Sequence, residues 1–260
     1  MQNYLCKSLD ELWAMSKEER AEYSRLHTQA MEPYSRTHAF KIYSPNTQFP
    51  YGAMGNPKVD VIETDTVSAL FNHVGNHNPV CILNFASYCS PGGGFMNGAK
   101  AQEEALCYVS NLYNILSRHV EDYYTPNSST KNRGILTNRA LYTTNISFFR
   151  DNMVRMADVL TCAAPKKQLC LRYHNFTEAE NSQALQSRVL FMRRIIDTQL
   201  CDTVILGAWG CGVFKQDPIE VASLFKQYFS TAFVNRIIYA IPGGVNYKIF
   251  KQVLGNTTQP

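Results

Sequence analysis

The residues with the clearest chemical potential are two adjacent glutamates, Glu103 and Glu104, directly after Gln102. A carboxyl group can protonate a leaving oxygen and afterwards deprotonate a water molecule, which is general acid–base catalysis. Adjacent helical residues project about 100° apart, so the two carboxylates cannot perform one task together. We therefore expect one to face a pocket while its neighbour braces a second group. The competing interpretation is that both only decorate the first turn of a helix, where acidic side chains are favoured anyway.

Two glycine-rich segments could hold an anion near these acids. Gly92, Gly93 and Gly94 precede the glutamates, and glycine lets backbone N–H groups approach a phosphate closely. A second segment, residues 207–214, follows a predicted strand and precedes a predicted helix, and it lacks the Gly-Lys-Ser/Thr of a P-loop. This segment, Gly207-Ala208-Trp209-Gly210-Cys211-Gly212-Val213-Phe214, has three glycines within six residues. One such loop alone is more often plain structure, but two at one sheet edge predict a diphosphate held from two sides.

Apolar runs of strand length alternate with helical patterns along the chain. Strands are predicted at 59–62, 79–85, 141–149, 157–163, 203–206 and 237–241. Helices are predicted within the first thirty residues and at 66–74, 101–118, 177–200, 218–229 and 246–254. Residues 32–58 are predicted to be irregular chain and residues 119–140 an exposed loop. This alternation indicates an α/β domain with helices on both faces of the sheet and a ligand site at the carboxyl ends of its strands.

Composition narrows the functional class. The chain has 260 residues, a formal charge of +4 and a pI near 8.6, which suits an anionic ligand but not a dedicated nucleic-acid binder. Its eight cysteines form no C-x-x-C pair and mostly lie in apolar runs, so we expect buried free thiols and a reducing compartment. No stretch has the length of a membrane span and the N-terminus lacks a signal-peptide core. We therefore expect an intracellular protein, cytoplasmic or, in a eukaryote, nuclear. We further expect a monomer that needs no metal or cofactor.

Several single residues invite functional interpretations that the pattern does not favour. His73 and His77 are spaced for metal binding, but the predicted helix ends between them. Trp13 and the pair Tyr123-Tyr124 are predicted to pack, Arg193-Arg194 to form a solvated helix face, and Trp209 to be either core or ligand contact with equal weight.

The spacing of the first glycine loop and the glutamates resembles a known signature. The glycine triplet, seven intervening residues and then Gln102-Glu103-Glu104 are similar to the glycine-to-QEE signature of poly(ADP-ribose) glycohydrolases. The flanking Asn84-Phe85-Ala86-Ser87 and the segment 207–214 resemble the compact bacterial-type branch of that family. The resemblance covers roughly residues 58 to 255.

The resemblance implies a macrodomain-like three-layer α/β/α fold with a mixed central sheet and an N-terminal helical extension. It implies an accessory segment at residues 1–57 and a glycohydrolase domain at residues 58–260. The implied reaction is hydrolysis of the ribose–ribose bonds of poly(ADP-ribose), mainly from chain ends, with release of ADP-ribose.

Residue by residue, the resemblance assigns Glu104 as the catalytic acid and base, and Glu103 as its neighbour that holds ribose hydroxyls. It places Gly92, Gly93 and Gly94 near the distal ribose and the diphosphate, Asn84 near the distal ribose, and Gln102 in the same substrate site. It places residues 210–213 at the diphosphate and Phe214 on the terminal ribose. Asp65 is a weaker candidate for an adenine contact.

Two other functions stay open at this stage. The same fold and ligand would serve removal of a single ADP-ribose from a modified protein or nucleic acid. They would also serve an ADP-ribose-binding module without catalysis, although a binder has no need of two acids beside an anionic ligand. A third hypothesis, a nicotinamide-dependent oxidoreductase, rests on the glycine-rich segments alone and is the weakest.

Overall fold

A computed structural model of the chain describes residues 7–36, 38–50, 54–75, 78–128, 135 and 137–255. The strands are β1 (Phe40–Tyr43), β2 (Lys58–Ile62), β3 (Val80–Phe85), β4 (Ala140–Arg150), β5 (Met153–Cys162), β6 (Thr203–Leu206) and β7 (Arg236–Ala240). The helices are α1 (Leu9–Ala14), α2 (Lys17–Met31), α3 (Thr66–His73), α4 (Gln102–Tyr108), α5 (Leu112–Leu116), α6 (Thr125–Ser128), α7 (Lys167–Tyr173), α8 (Glu178–Asp197), α9 (Pro218–Phe229) and α10 (Gly244–Leu254).

The strands form one mixed sheet in the order β1-β4-β5-β3-β6-β7-β2. β5, β3, β6, β7 and β2 run parallel, while β4 pairs antiparallel with β5 and β1 antiparallel with β4. Parallel strands need cover on both faces, which is why β3 and β6 are almost entirely buried. Their carboxyl ends, and the loops that follow, meet at one edge of the sheet.

Side chains of the sheet alternate between two hydrophobic layers. Ile82 of β3 belongs to a cluster with Leu106 of α4, and its neighbours Cys81 and Leu83 belong to a second cluster with Val189 of α8. Because successive strand residues point to opposite faces, the sheet is sandwiched between two helical layers. The predicted macrodomain-like α/β/α architecture with a mixed sheet is confirmed.

The N-terminal segment packs against the first of these layers. Ser8 and Ser16 each form a capping box, with Glu11 and Glu19, so α1 and α2 begin where their sequences favour it. Leu12 is completely buried. The prediction of irregular chain at 32–58 is wrong for β1, which pairs with β4 at the sheet edge. The division at residue 57 stays a prediction.

The predicted single helix at 101–118 is wrong, because residues 109–111 separate α4 from α5. Ser110 forms an isolated antiparallel bridge with Phe148, and the Phe149 N–H donates to the Val109 carbonyl at 2.7 Å. The long β4–β5 hairpin therefore takes the backbone groups that a continuous helix would have used.

The predicted exposed loop at 119–140 is also wrong over its first part. Residues Val120–Tyr124 form a π-helical turn that continues into α6, and Tyr123 and Tyr124 are buried, as their predicted packing role requires. Residues 129–134 and 136 lie outside the described residues.

Arg193 does not lie on a solvated face. It is buried, pairs with Asp197 one turn later and donates to the Thr231 carbonyl, whereas its neighbour Arg194 is exposed. The sequence pattern also missed α7, which lies between the end of β5 and α8.

The remaining predictions concern cysteines, metal and membrane. The described cysteines are free thiols, five of them buried. Within the described residues no three His, Cys, Asp or Glu side chains come together as a metal site, and His77 lies outside those residues. No helix in the described part of the chain is both long and apolar enough to cross a bilayer.

Candidate functional site

A cleft of about 530 Å³ opens at the carboxyl ends of the parallel strands. It is walled by the connection after β2, by the loop after β6, by the start of α4 and by α1. Of the predicted site residues, those that line it are Asp65, Gln102, Gly210, Gly212, Val213 and Phe214.

Glu103 lies beside this cleft but faces the protein interior. It is only 3% exposed, and its two carboxyl oxygens accept hydrogen bonds from the Ser87 N–H at 2.6 Å and from Asn84 Nδ2 at 3.2 Å. Burial raises the pKa of Glu103 to about 8, and the neighbouring Glu104 charge adds to this, against the opposing effect of the two donors. Glu103 thus braces the loop after β3.

Glu104 is the second buried acid, 7% exposed, and it contacts the first glycine loop. Its Oε1 accepts a hydrogen bond from the Gly94 N–H at 2.8 Å. Gly93 has φ of +60°, and a Cβ built there would lie 2.6 Å from Glu104 Oε1 and 3.1 Å from Glu103 Oε2. Only glycine fits this backbone conformation and this close approach, so the loop fixes the position of both carboxylates.

The first glycine loop therefore differs from the expected anion cradle. The Gly93 N–H donates to the Ser90 carbonyl at 3.0 Å and the Gly94 N–H to Glu104, so both donors are used inside the protein. In this structure the loop organises the acids.

Gln102 ties the start of α4 to the end of β3. Its Oε1 accepts from the Phe85 N–H at 2.8 Å, and its Nε2 donates to the Leu83 carbonyl at 2.9 Å and to Thr66 Oγ1 at 3.3 Å. The side chain thus continues the strand's hydrogen bonding beyond its last parallel partners. By anchoring the first residue of α4, Gln102 fixes the position of the two glutamates that follow it.

Asn84 is completely buried on β3, beneath Glu103. Its Nδ2 also donates to Thr161 Oγ1 at 3.3 Å, while its Oδ1 has no hydrogen-bond partner among the described residues. Asn84 therefore donates its hydrogen bond to Glu103 and does not reach the open cleft.

The second glycine loop, residues 207–214, has the free donors that the first loop lacks. Within the described residues, the N–H groups of Gly210, Gly212, Val213 and Phe214 donate no hydrogen bond to the protein. Val213 is 77% exposed, and Gly212 has open space where a Cβ would lie. Amides without a protein acceptor on one cleft wall are available to donate hydrogen bonds to an anion.

Buried side chains hold this second loop in place. Trp209 is fully buried and its Nε1 donates to the Cys162 carbonyl at 2.9 Å, so it is a core residue under the loop. Gln216 and Asn181 form a reciprocal amide pair at 2.9 and 3.0 Å, and Gln216 Nε2 also donates to the Pro165 carbonyl at 2.8 Å. The loop is preorganised by contacts with β5 and α8. Within it, burial raises the pKa of the Cys211 thiol to about 12.

Asp65 serves as the N-cap of α3, where its Oδ1 accepts from the Ser68 N–H at 2.9 Å. It also lines the cleft, on the wall formed by the β2–α3 connection.

Sequence reasoning missed several residues of the site. Leu9 and Trp13 of α1 line the cleft, and so does Lys100, whose Nζ donates to the Trp13 carbonyl at 2.6 Å. Helical periodicity predicts that α1 packs against the domain, but it does not identify the surface that the helix contacts. Ala164 also lines the cleft, at the predicted end of a strand, and Lys166 follows it two residues later.

A family model described as microbial-type PARG, catalytic domain, matches residues 14–151. No curated protein matches the chain significantly.

Solved structures share the fold. The chain is similar to poly(ADP-ribose) glycohydrolase (PARG) from Thermomonospora curvata, with a TM-score of 0.79, 24% identity, and coverage of 91% of this chain and 100% of that one. The structure of the same enzyme bound to the inhibitor ADP-HPD gives a TM-score of 0.74 at 23% identity, with coverage of 90% of this chain and 99% of that one. The chain is also similar to PARG from Deinococcus radiodurans in complex with ADP-ribose, with a TM-score of 0.73, 23% identity, and coverage of 88% of this chain and 98% of that one.

Proposed function

Because this chain belongs to the microbial-type PARG catalytic-domain family and is a poly(ADP-ribose) glycohydrolase, we propose that it releases ADP-ribose mainly from chain ends, with Glu104 as acid and base. One observation carries the assignment of the acid. Glu104 is a nearly buried carboxylate that directly precedes Ala105, a cleft-lining residue of α4, and only one of its oxygens accepts a hydrogen bond from a described residue, the Gly94 N–H.

In the first step, Glu104 protonates the departing ribose 2′ oxygen while positive charge grows on the anomeric carbon. The resulting carboxylate then takes a proton from water, which attacks the oxocarbenium-like centre. The Gly94 N–H supports this cycle, since it holds one carboxyl oxygen in place in both protonation states. Glu103 supports it from behind by accepting the Ser87 N–H and so holding the loop after β3.

The diphosphate of the bound unit lies against the free amides of residues 210–214. These donors are neutral and already oriented, so binding an anion there requires no rearrangement of the loop. Asp65, on the cleft wall formed by the β2–α3 connection, contacts the adenine.

The preference for chain ends rests on Phe214. Its side chain packs against both hydrophobic layers and lines the cleft at the end of the second glycine loop. We expect the ring to lie beside the terminal ribose in the bound complex and to block a chain that continues past it.

Three substrates separate this function from its rivals: poly(ADP-ribose), a mono-ADP-ribosylated protein and a mono-ADP-ribosylated DNA. We expect release of free ADP-ribose from the polymer alone, with the product appearing before any shortened internal fragments. Release from either mono-modified substrate would support single-unit removal instead, and tight binding of ADP-ribosylated macromolecules without release would support a binding module.

A further inference from the structure

Lys166 lies where three loops of the site meet. β5, β3 and β6 are neighbours in the sheet, and the loops that follow them carry Lys166, Tyr88 and Phe214 respectively. The Lys166 ammonium lies 4.0 Å from the centre of the Tyr88 ring and 5.6 Å from the centre of the Phe214 ring. These are cation–π distances, so the two rings hold the charge at the rim of the cleft.

Contacts along the backbone bring the same segment against the anion-binding loop. Ala164, two residues before Lys166, lines the cleft, and its Cβ lies 2.9 Å from a Cβ built at Gly210. The Pro165 carbonyl accepts a hydrogen bond from Gln216, which directly supports the loop. Phe214 contributes both a ring beside the lysine and one of the four free amides.

The charge of Lys166 is not neutralised within the described residues, since its Nζ forms no salt bridge there. Its neighbour Lys167 differs, because it pairs with Glu178 at 2.8 Å. Lys100 lines the cleft on the opposite side, beside α1, where its Nζ donates to the Trp13 carbonyl and lies 5.8 Å from the centre of the Trp13 ring. Partial burial lowers the pKa of Lys166, so its ammonium is poorly solvated and gains from an arriving anion.

We propose that Lys166 is a recognition residue that pairs its ammonium with the diphosphate of the bound ADP-ribose unit. The inference rests on the proposed function and adds a cation to a cradle otherwise made of neutral amides. A charged donor forms a stronger hydrogen bond to phosphate than an amide does, and its contribution depends on salt.

The test compares Lys166→Met with Lys166→Arg and with the matched control Lys167→Met. ADP-ribose affinity is measured by calorimetry at low and high NaCl, with adenosine as a ligand that lacks the diphosphate. We expect Lys166→Met to raise the ADP-ribose Kd roughly tenfold at low salt and to flatten its salt dependence. Lys166→Arg should recover most of the affinity, and Lys167→Met should match the wild-type protein. Adenosine binding should be equal in all four proteins.

Two results would overturn the inference. One is an ADP-ribose Kd for Lys166→Met that stays within twofold of wild type at every salt concentration, even if its KM for polymer rises. The other is an equal loss of adenosine binding, which would mean that the substitution only disturbs the packing of Tyr88 and Phe214. A wild-type protein that fails to bind ADP-ribose would instead count against the proposed function itself.

Discussion

Replacing Gly93 with alanine tests whether the first glycine loop exists to position the acids. Gly93 has φ of +60°, and its Cβ would lie 2.6 Å from Glu104 Oε1. The left-handed conformation alone costs alanine about 1–2 kcal/mol. Ordinary contact further requires the carboxylate to retreat by about 1 Å, and a misplacement of that size lowers turnover about 100-fold. Since the adjacent Gly94 N–H holds the same oxygen, Gly93→Ala should also weaken that hydrogen bond.

Gly244→Ala is the matched control for this experiment. Gly244 has φ of +75° but open space at its Cβ position, so alanine there meets only the conformational cost. Urea denaturation should show a larger loss of unfolding free energy for Gly93→Ala than for Gly244→Ala, and ADP-ribose release from polymer should fall about 100-fold only for Gly93→Ala. Equal stabilities, or a Gly93→Ala enzyme with more than half of the wild-type kcat, would refute the reasoning.

Two further predictions concern buried titratable groups. The pKa of Glu103 is raised to about 8 from 4.5, so between those values the unfolded chain has lost a proton that the native protein keeps, and rising pH destabilises the fold. In the wild-type protein this effect should lower the free energy of unfolding by a few kcal/mol, on the order of magnitude of the shift, between pH 5 and pH 8. Urea denaturation at several pH values should show that Glu103→Gln lacks this decrease. The same decrease in the variant as in wild type would contradict the reasoning. The pKa of His27 is lowered to about 4 from 6.5 by burial, so stability should fall as the pH drops from 6.5 towards 4. His27→Gln should reduce that acid-side loss, on the order of 2–3 kcal/mol, and a variant that loses stability as steeply as wild type would count against it.

Most of the parallel core could be predicted from the sequence because its strands are buried on both faces. β3 and β6 are short runs of mostly apolar residues of strand length, and their observed bounds are close to the expected ones. The break between α4 and α5 could not be predicted, since the apolar stripe continues through it. It depends on a long-range bridge from Ser110 to Phe148, which local periodicity does not contain.

The site shows the same division between local and long-range information. Gly93, Glu103 and Glu104 were identified because their spacing is local. Local spacing contains no information on the internal hydrogen bonds of the Gly93 and Gly94 amides or on the burial of Asn84 beneath Glu103. Lys166 was missed for a related reason: its significance comes from Tyr88 and Phe214, which lie 78 and 48 positions away in the chain.

The most direct test of the account is the rate of ADP-ribose release from poly(ADP-ribose) by Glu104→Gln, measured beside its affinity for ADP-ribose. Glutamine keeps the shape of the side chain, and its amide oxygen can still accept from the Gly94 N–H, but it cannot exchange protons. We predict a rate lowered by at least about 1,000-fold, with an ADP-ribose Kd close to that of the wild-type protein. Turnover comparable to wild type in this variant would contradict the assignment of Glu104 as the acid and base.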